Sequence, residues 1–176
     1  MKMAYADPPY LGAAKRYDGT HPDNRRWDDP AEHADLIRRL VAEFPDGWAL
    51  SLSTPSLAAI LPMCPAGVRV GAWVKPFAAF KVNVNPAYAW EPVIWSGGRK
   101  RGRDAATTRD WVAANITLRT GLCGAKPPEF CFWLFDVLGL EPGDDLHDLF
   151  PGTGAVMRSW RSYCRQRPLL FAEAGA

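Results

Sequence analysis

Apolar residues recur along the chain with two spacings that alternate, one of helical and one of strand period. Residues 31–44 place Ala34, Ile37, Leu40, Val41 and Phe44 on one helical face with charged residues opposite, and Asp29-Pro30 supplies a cap and first turn. That pattern predicts a crossover helix packed on a core. Trp48 to Ser53 has strand length and an apolar bias, Ser56 to Leu61 forms a short helix closed by Pro62, and Val68 to Lys75 and Ala89 to Ser96 are two further strands. Arg109 to Leu118 fits either a short helix or a strand. Pro127 opens a helix through about Leu138, with Phe130, Leu134, Val137 and Leu138 facing the core and Gly139 and Pro142 ending it. Ala155 to Arg165 reads as another helix, and Pro168 to Glu173 as a last strand ending in an acid. Alternation of strand and helix predicts an α/β fold: a mostly parallel, twisted sheet with helices on both faces.

Composition sets the class. The chain has 176 residues, 48% of them hydrophobic and 23% charged, which is ordinary globular usage and the size of a single domain, 1–176. No run of about 18 apolar residues and no basic-then-apolar leader is present, so a soluble cytoplasmic protein is expected. Cys64, Cys123, Cys131 and Cys164 form no C-x-x-C pair and have no His at zinc spacing. Reduced, mostly buried thiols and no metal site are expected. His21, His33 and His147 are scattered in polar sequence and carry no assigned chemistry.

Ala4-Tyr5-Ala6-Asp7-Pro8-Pro9-Tyr10 is a short apolar strand that ends in an acid, two prolines and an aromatic ring. Two successive prolines stop sheet pairing and fix the direction of the following carbonyls. Those carbonyls and the Asp7 carboxylate suit the hydrogens of an exocyclic amine, and the Tyr10 ring offers a face to a planar base.

Asp7-Pro8-Pro9-Tyr10 resembles the D-P-P-Y catalytic motif of the amino-methyltransferases, which methylate the exocyclic nitrogen of adenine or, less often with this spelling, of cytosine. Asp148-Leu149-Phe150-Pro151-Gly152-Thr153-Gly154 resembles the D-x-F-x-G-x-G loop with which the same family binds S-adenosylmethionine. Its two glycines permit positive φ and close approach of backbone to a ligand. The helix beginning near Ala155 offers free N–H groups to the cofactor's carboxylate, and Asp148 is an acceptor for its ammonium. Between the two motifs stands Lys126-Pro127, where the family often carries a K-P pair, which the resemblance assigns to framing the cofactor.

Catalytic motif first and cofactor loop last is the permuted order of the β-class amino-methyltransferases and, more distantly, of the mRNA adenosine methyltransferases. The terminal Tyr10 favours the bacterial or phage DNA branch. The resemblance covers most of the chain and implies a Rossmann-like methyltransferase fold, S-adenosylmethionine as cofactor, DNA, duplex or single-stranded, as partner, and N6 of adenine as acceptor. Trp73-x-Lys75 followed by a strand bearing Glu91 also resembles this group. Family members carry a target-recognition region where this chain has only residues 97–125. Loose or very short recognition, a second subunit in a homodimer or specificity complex, or a single-stranded substrate follows from that.

Further candidates rest on charge and position. The loop 11–30 would lie over the site, with Lys15, Arg16, Arg25 and Arg26 for phosphates and Tyr17 or Trp27 for a base or the cofactor. Lys75 suits a phosphate, the cofactor or an ion pair with Glu91, and Trp73, Trp90 and Trp95 suit the core. Gly97 to Arg103 is the most basic stretch, and its glycines suggest flexibility; Arg99, Lys100, Arg101 and Arg103 suit a sugar-phosphate backbone. The overall charge of +2 is too small to argue for nucleic acid by itself. Glu173, at the end of the expected last strand, suits the ribose hydroxyls of a Rossmann-like site. Methylation of RNA or of a small amine, and an inactive subunit of the same fold, are the alternatives.

Overall fold

The structure is a computed structural model that describes residues 1–17, 22–77, 84–116 and 125–173. Its six strands are β1 (Lys2–Ala6), β2 (Gly47–Ser51), β3 (Arg69–Val74), β4 (Trp90–Gly97), β5 (Trp111–Ala113) and β6 (Asp145–Asp148), in the order β5-β3-β4-β2-β1-β6. Pairing is parallel for β1 with β2 and β6 and for β3 with β5, and antiparallel for β4 with β2 and β3. Five strands therefore share one direction, and β4 alone is reversed. Parallel pairing requires a crossover connection, whereas antiparallel pairing does not.

β1 runs through the middle of the molecule. Met3, Ala4, Tyr5 and Ala6 are all fully buried, as expected of a strand covered on both faces. Alternation sends Met3 and Tyr5 to one face, with α3 (Pro128–Leu138) and α4 (Ala155–Glu173). Ala4 and Ala6 face the other way, toward Leu36, Ile37, Leu40 and Phe44 of α1 (Pro30–Glu43) and its C-cap. The small side chains of Ala4 and Ala6 let α1 lie close to the sheet, while Phe130, Leu134 and Phe135 fill the opposite layer.

The sequence pattern located most of these elements. Asp29 caps α1 by accepting from Ala31 N–H at 2.9 Å, and Pro30 takes the first helical position. The expected short helix begins as a 3₁₀ turn at Thr54–Ser56 and continues as α2 (Leu57–Ile60). The segment 109–118 supplies the edge strand β5 rather than a helix. Trp73 and Trp95 are core residues as expected, but Trp90 is partly exposed at the start of β4.

The expected last strand is the clear exception, because α4 runs from Ala155 through Glu173 without a break at Pro168. A proline removes one helical hydrogen bond, and here that loss does not stop the helix. Val156, Trp160 and Tyr163, spaced for one helical face, are buried, so the anchor lies upstream of the proline. Glu173 thus ends a helix, not a strand, and the strand-end argument for a ribose contact does not hold.

Candidate active site

Parallel pairing of β1 with β6 puts Tyr5 opposite Asp148, and Leu149 N–H donates to Tyr5 C=O at 3.0 Å. The two sequence motifs therefore leave the sheet side by side from its C-terminal edge. β3 ends at the same edge with Lys75 following it, and the reversed β4 begins there, with Glu91 opposite Trp73. Lys126, just ahead of α3, reaches the same place from above the α3 face.

These residues form one network. Lys126 Nζ donates to Asp7 Oδ1 at 2.8 Å and to Tyr10 Oη at 3.1 Å, and lies 3.7 Å from Glu91 Oε2. The Tyr10 hydroxyl is 2.9 Å from Glu91 Oε2 and 3.1 Å from Asp7 Oδ1, and its single proton serves one carboxylate at a time. Lys75 pairs with Glu91 Oε1. Trp73, Tyr10 and Phe130 place their ring centres 5.4, 5.7 and 5.8 Å from Lys126 Nζ, a setting that favours a cation. Two lysines and two carboxylates balance, which is how a side chain only 4% exposed keeps its charge.

Burial shapes the acidity of each group. Burial raises the Asp7 carboxyl, and the attraction and hydrogen bond of Lys126 offset only part of the rise. Burial pushes Glu91 the same way, but Lys126 and Lys75 together outweigh it and hold Glu91 low. Burial, followed by the charges of Asp7 and Glu91, raises the Tyr10 phenol well above its ordinary value, so it stays a neutral donor.

Beside this network stands Asp148. Its Oδ1 accepts from Phe150 N–H at 3.3 Å, while its buried Oδ2 has no hydrogen-bond partner among the described residues. Burial is the main cause that pushes the Asp148 carboxyl up to about 6, the Phe150 N–H opposes it, and the charge of Asp7 adds to it. An acceptor with an open lone pair in a buried position suits a cationic donor. The loop beyond it bends through positive φ at Gly152 (46°) and Gly154 (73°), and α4 starts at Ala155. A Cβ at Gly152 would meet only Phe150 O, at 3.8 Å, so the loop has free space on that side. Arg158 Nη1 donates to Thr153 O at 2.6 Å and fixes the turn. Pro151, Gly152 and Thr153 are exposed, whereas the Phe150 ring packs 5.1 Å from Trp27 and anchors the loop to the α1 layer.

The structure separates the remaining candidates. Lys15 is exposed on a 3₁₀ turn, Ala14–Tyr17, that follows Tyr10; the side chains of Arg16 and Tyr17 lie outside the described residues. Trp27 is buried between His33 and Phe150, and His33 faces Trp27 C=O at 2.9 Å, a core role for both rings. Pro127 caps α3 and is buried, with Pro128 at the first helical position; the pair aims Lys126 inward. Cys123 and His21 lie outside the described residues.

The basic stretch is at the other end of the sheet. Gly97 pairs with Gly47, the first residue of β2, so the chain leaves β4 at the N-terminal edge, about 16 Å of strand from the Asp7 network. Arg99 binds both carboxylate oxygens of Asp144 at 2.8 and 2.9 Å, donates to Gly139 O at 3.0 Å and pairs with Glu141. Arg101 donates to Thr108 Oγ1 at 2.7 Å and to Asp136 O. Lys100 and Arg103 are exposed at that same edge. Gly97 and Gly98 are not there for flexibility: both have positive φ, and a Cβ at Gly98 would sit 2.9 Å from Leu138 O. Close packing onto the end of α3 demands Gly98, and close packing against Asp46 and Gly47 demands Gly97.

Glu91 forms the ion pair with Lys75 that is one of the expectations for that lysine, whereas its contacts with Tyr10 and Lys126 are not expected from the sequence. Among the described residues, no group of three or more His, Cys, Asp or Glu side chains is placed to hold a metal ion, and no helix is long and apolar enough to cross a membrane.

The strand order and pairing define a Rossmann-like α/β fold with a mixed six-stranded sheet, and solved structures share it. The crystal structure of the M1.HpyAVI-SAM complex has this fold, with a TM-score of 0.57 and 15% identity, over 93% of this chain and 78% of that chain. The crystal structure of M1.HpyAVI itself matches with a TM-score of 0.58 and 15% identity, over 92% of this chain and 76% of that chain. No family model and no curated protein matches the sequence.

Proposed function

We propose that the chain is a single catalytic domain, 1–176, that transfers a methyl group from S-adenosylmethionine to the N6 amine of adenine in DNA. One observation carries the reading: Asp7, oriented by Lys126, follows the end of β1, and the neighbouring strand β6 ends in Asp148, whose buried Oδ2 has no hydrogen-bond partner among the described residues. An acceptor for an amine and an acceptor for an ammonium thus lie together at one sheet edge. The order of the two motifs, that of the permuted β class, and the fold shared with M1.HpyAVI, solved with SAM, support it.

The residues present fit the cofactor. Asp148 Oδ2 would take the ammonium, Gly152 leaves room for close backbone approach, and the N-terminus of α4 would face the carboxylate. Bound there, S-adenosylmethionine supplies an electrophilic methyl group that needs no metal. Asp7 and the Pro8 carbonyl accept the hydrogens of the exocyclic amine. Those bonds favour a tetrahedral nitrogen and stabilise the positive charge that develops on it. Tyr10, its hydroxyl held by Glu91, supplies a fixed ring against which a flipped base can stack.

Transfer of labelled methyl to DNA, followed by nucleoside analysis, tests the reading. Label on N6-methyladenine supports it, and label on cytosine N4 keeps the chemistry while replacing the base. Label confined to RNA replaces the polymer.

A further inference from the structure

One of the two acceptor oxygens of Asp7, to which the proposed reaction assigns the incoming amine, is taken. Asp7 Oδ1 holds the Lys126 ammonium at 2.8 Å and lies 3.1 Å from the Tyr10 hydroxyl. A hydrogen bond from an ammonium to a carboxylate is about twice as strong as one from a neutral donor. A neutral exocyclic amine does not displace Lys126 from Asp7 unless the ammonium has somewhere equally good to go.

Glu91 is that place. Its Oε2 lies 3.7 Å from Lys126 Nζ, close enough to be reached by rotation of the lysine's outer bonds. It is carried on β4 opposite Trp73, inside a sheet, and its other oxygen is held by Lys75, so its position and charge are set in advance. The rings of Trp73, Tyr10 and Phe130 stand at 5.4 to 5.8 Å around the ammonium, and a short swing keeps it among them. Exchange from one carboxylate to the other leaves the charge of the buried site unchanged and moves no proton.

We infer that Glu91 is a positioning residue that receives the Lys126 ammonium when the amine docks on Asp7, and that Lys126 is a placeholder for that amine in the free protein. The inference rests on the methyl-transfer reading above and adds to it a second carboxylate with a defined task. Lys126 favours the ionised form of Asp7 and aims it before substrate arrives; Glu91 makes its departure possible.

Two experiments read the exchange separately. In single-turnover kinetics, Glu91→Gln lowers the rate of transfer at least tenfold with S-adenosylmethionine affinity within twofold of wild type, and Glu91→Asp recovers part of the loss. Since Glu91 acts in part through Lys126 and in part through the Tyr10 hydroxyl, the loss in the double variant K126M/E91Q is smaller than the sum of the two single losses. In a crystal structure of Asp7→Ala, Lys126 Nζ lies within hydrogen-bond distance of Glu91, at about 3 Å. Wild-type turnover by E91Q, additive losses in the double variant, or Lys126 turned away from Glu91 in D7A each overturn the inference. Where E91Q does not fold, the D7A structure decides. If wild-type protein transfers no methyl group while D7A brings Lys126 onto Glu91, the exchange stands and the methyl-transfer reading falls.

Discussion

Lys126 Nζ lies 2.8 Å from Asp7 Oδ1, although 119 residues separate the two in the chain. The contact joins the end of β1 to the entry of α3, and it bears on the ionisation of the acid on which the proposed chemistry depends. Burial raises Asp7, and Lys126 is the main opposing influence. Removing the ammonium therefore raises Asp7 further. In Lys126→Met the acid limb of the pH–rate profile is expected to move to higher pH, because the carboxylate is the active form. An unshifted limb would detach Lys126 from the ionisation of Asp7.

Asp7→Ala removes the charged acceptor of the amine. Transfer is expected to fall by roughly 10²–10³-fold, the scale for losing one electrostatic stabiliser. The cofactor's acceptor Asp148 stands on the neighbouring strand, so S-adenosylmethionine affinity is expected to stay within a few-fold of wild type. Single-turnover rates and calorimetric titration of the cofactor measure the two effects separately.

Asp148 makes cofactor affinity depend on pH. Its carboxyl titrates at about 6 in the folded protein, and only the carboxylate attracts the cofactor's ammonium. Affinity is expected to be flat above pH 7 and to fall as pH drops through about 6, with Asp148→Asn weak and pH-independent. Stability has the opposite sign. The folded value lies above the ordinary 3.8, so the folded state binds this proton more tightly and the group costs stability as pH rises from 4 to 6. Asp148→Asn is therefore expected to be more stable than wild type at pH 7 and equal to it below pH 4, as read by urea unfolding.

Arg99 is expected to act on stability alone. Its two bonds to Asp144, a side chain 6% exposed, and its bond to Gly139 O tie the end of β4 to the turn before β6. Arg99→Ala is expected to cost roughly 0.5–1.5 kcal/mol, because Asp144 keeps its bonds to the Met1 ammonium and the Glu141 N–H. The slope of DNA affinity against salt is expected to be unchanged, because this edge of the sheet is remote from Asp7. A flatter slope would return the basic stretch to the nucleic-acid interface.

What the sequence made legible is what is written in local chemistry. Asp7-Pro8-Pro9-Tyr10 and Asp148 to Gly154 announce strand ends because proline and glycine interrupt pairing in place, and the ends prove to be neighbours. Asp29-Pro30 and the 3.6-residue period fixed α1. Direction and distance were not legible. Alternation along β4 is the same whichever way the strand runs, so nothing in it told that Gly97 would emerge at the edge opposite Asp7. A glycine required by close packing, as Gly98 is against Leu138, looks in sequence like a glycine that confers freedom. Pro168 marked a boundary that the helix crosses, and the role of Glu91 depends on a lysine 35 positions further along the chain (126 − 91).

The most direct test of the central claim is incubation of the purified protein with methyl-labelled S-adenosylmethionine and separate pools of duplex DNA, single-stranded DNA and RNA, with nucleosides then resolved by mass spectrometry. Labelled N6-methyladenine from a DNA pool, absent with Asp7→Ala, is the result expected of the strand-edge site formed by Asp7, Lys126 and Asp148. A protein that binds the cofactor yet labels no nucleoside in any pool would contradict it.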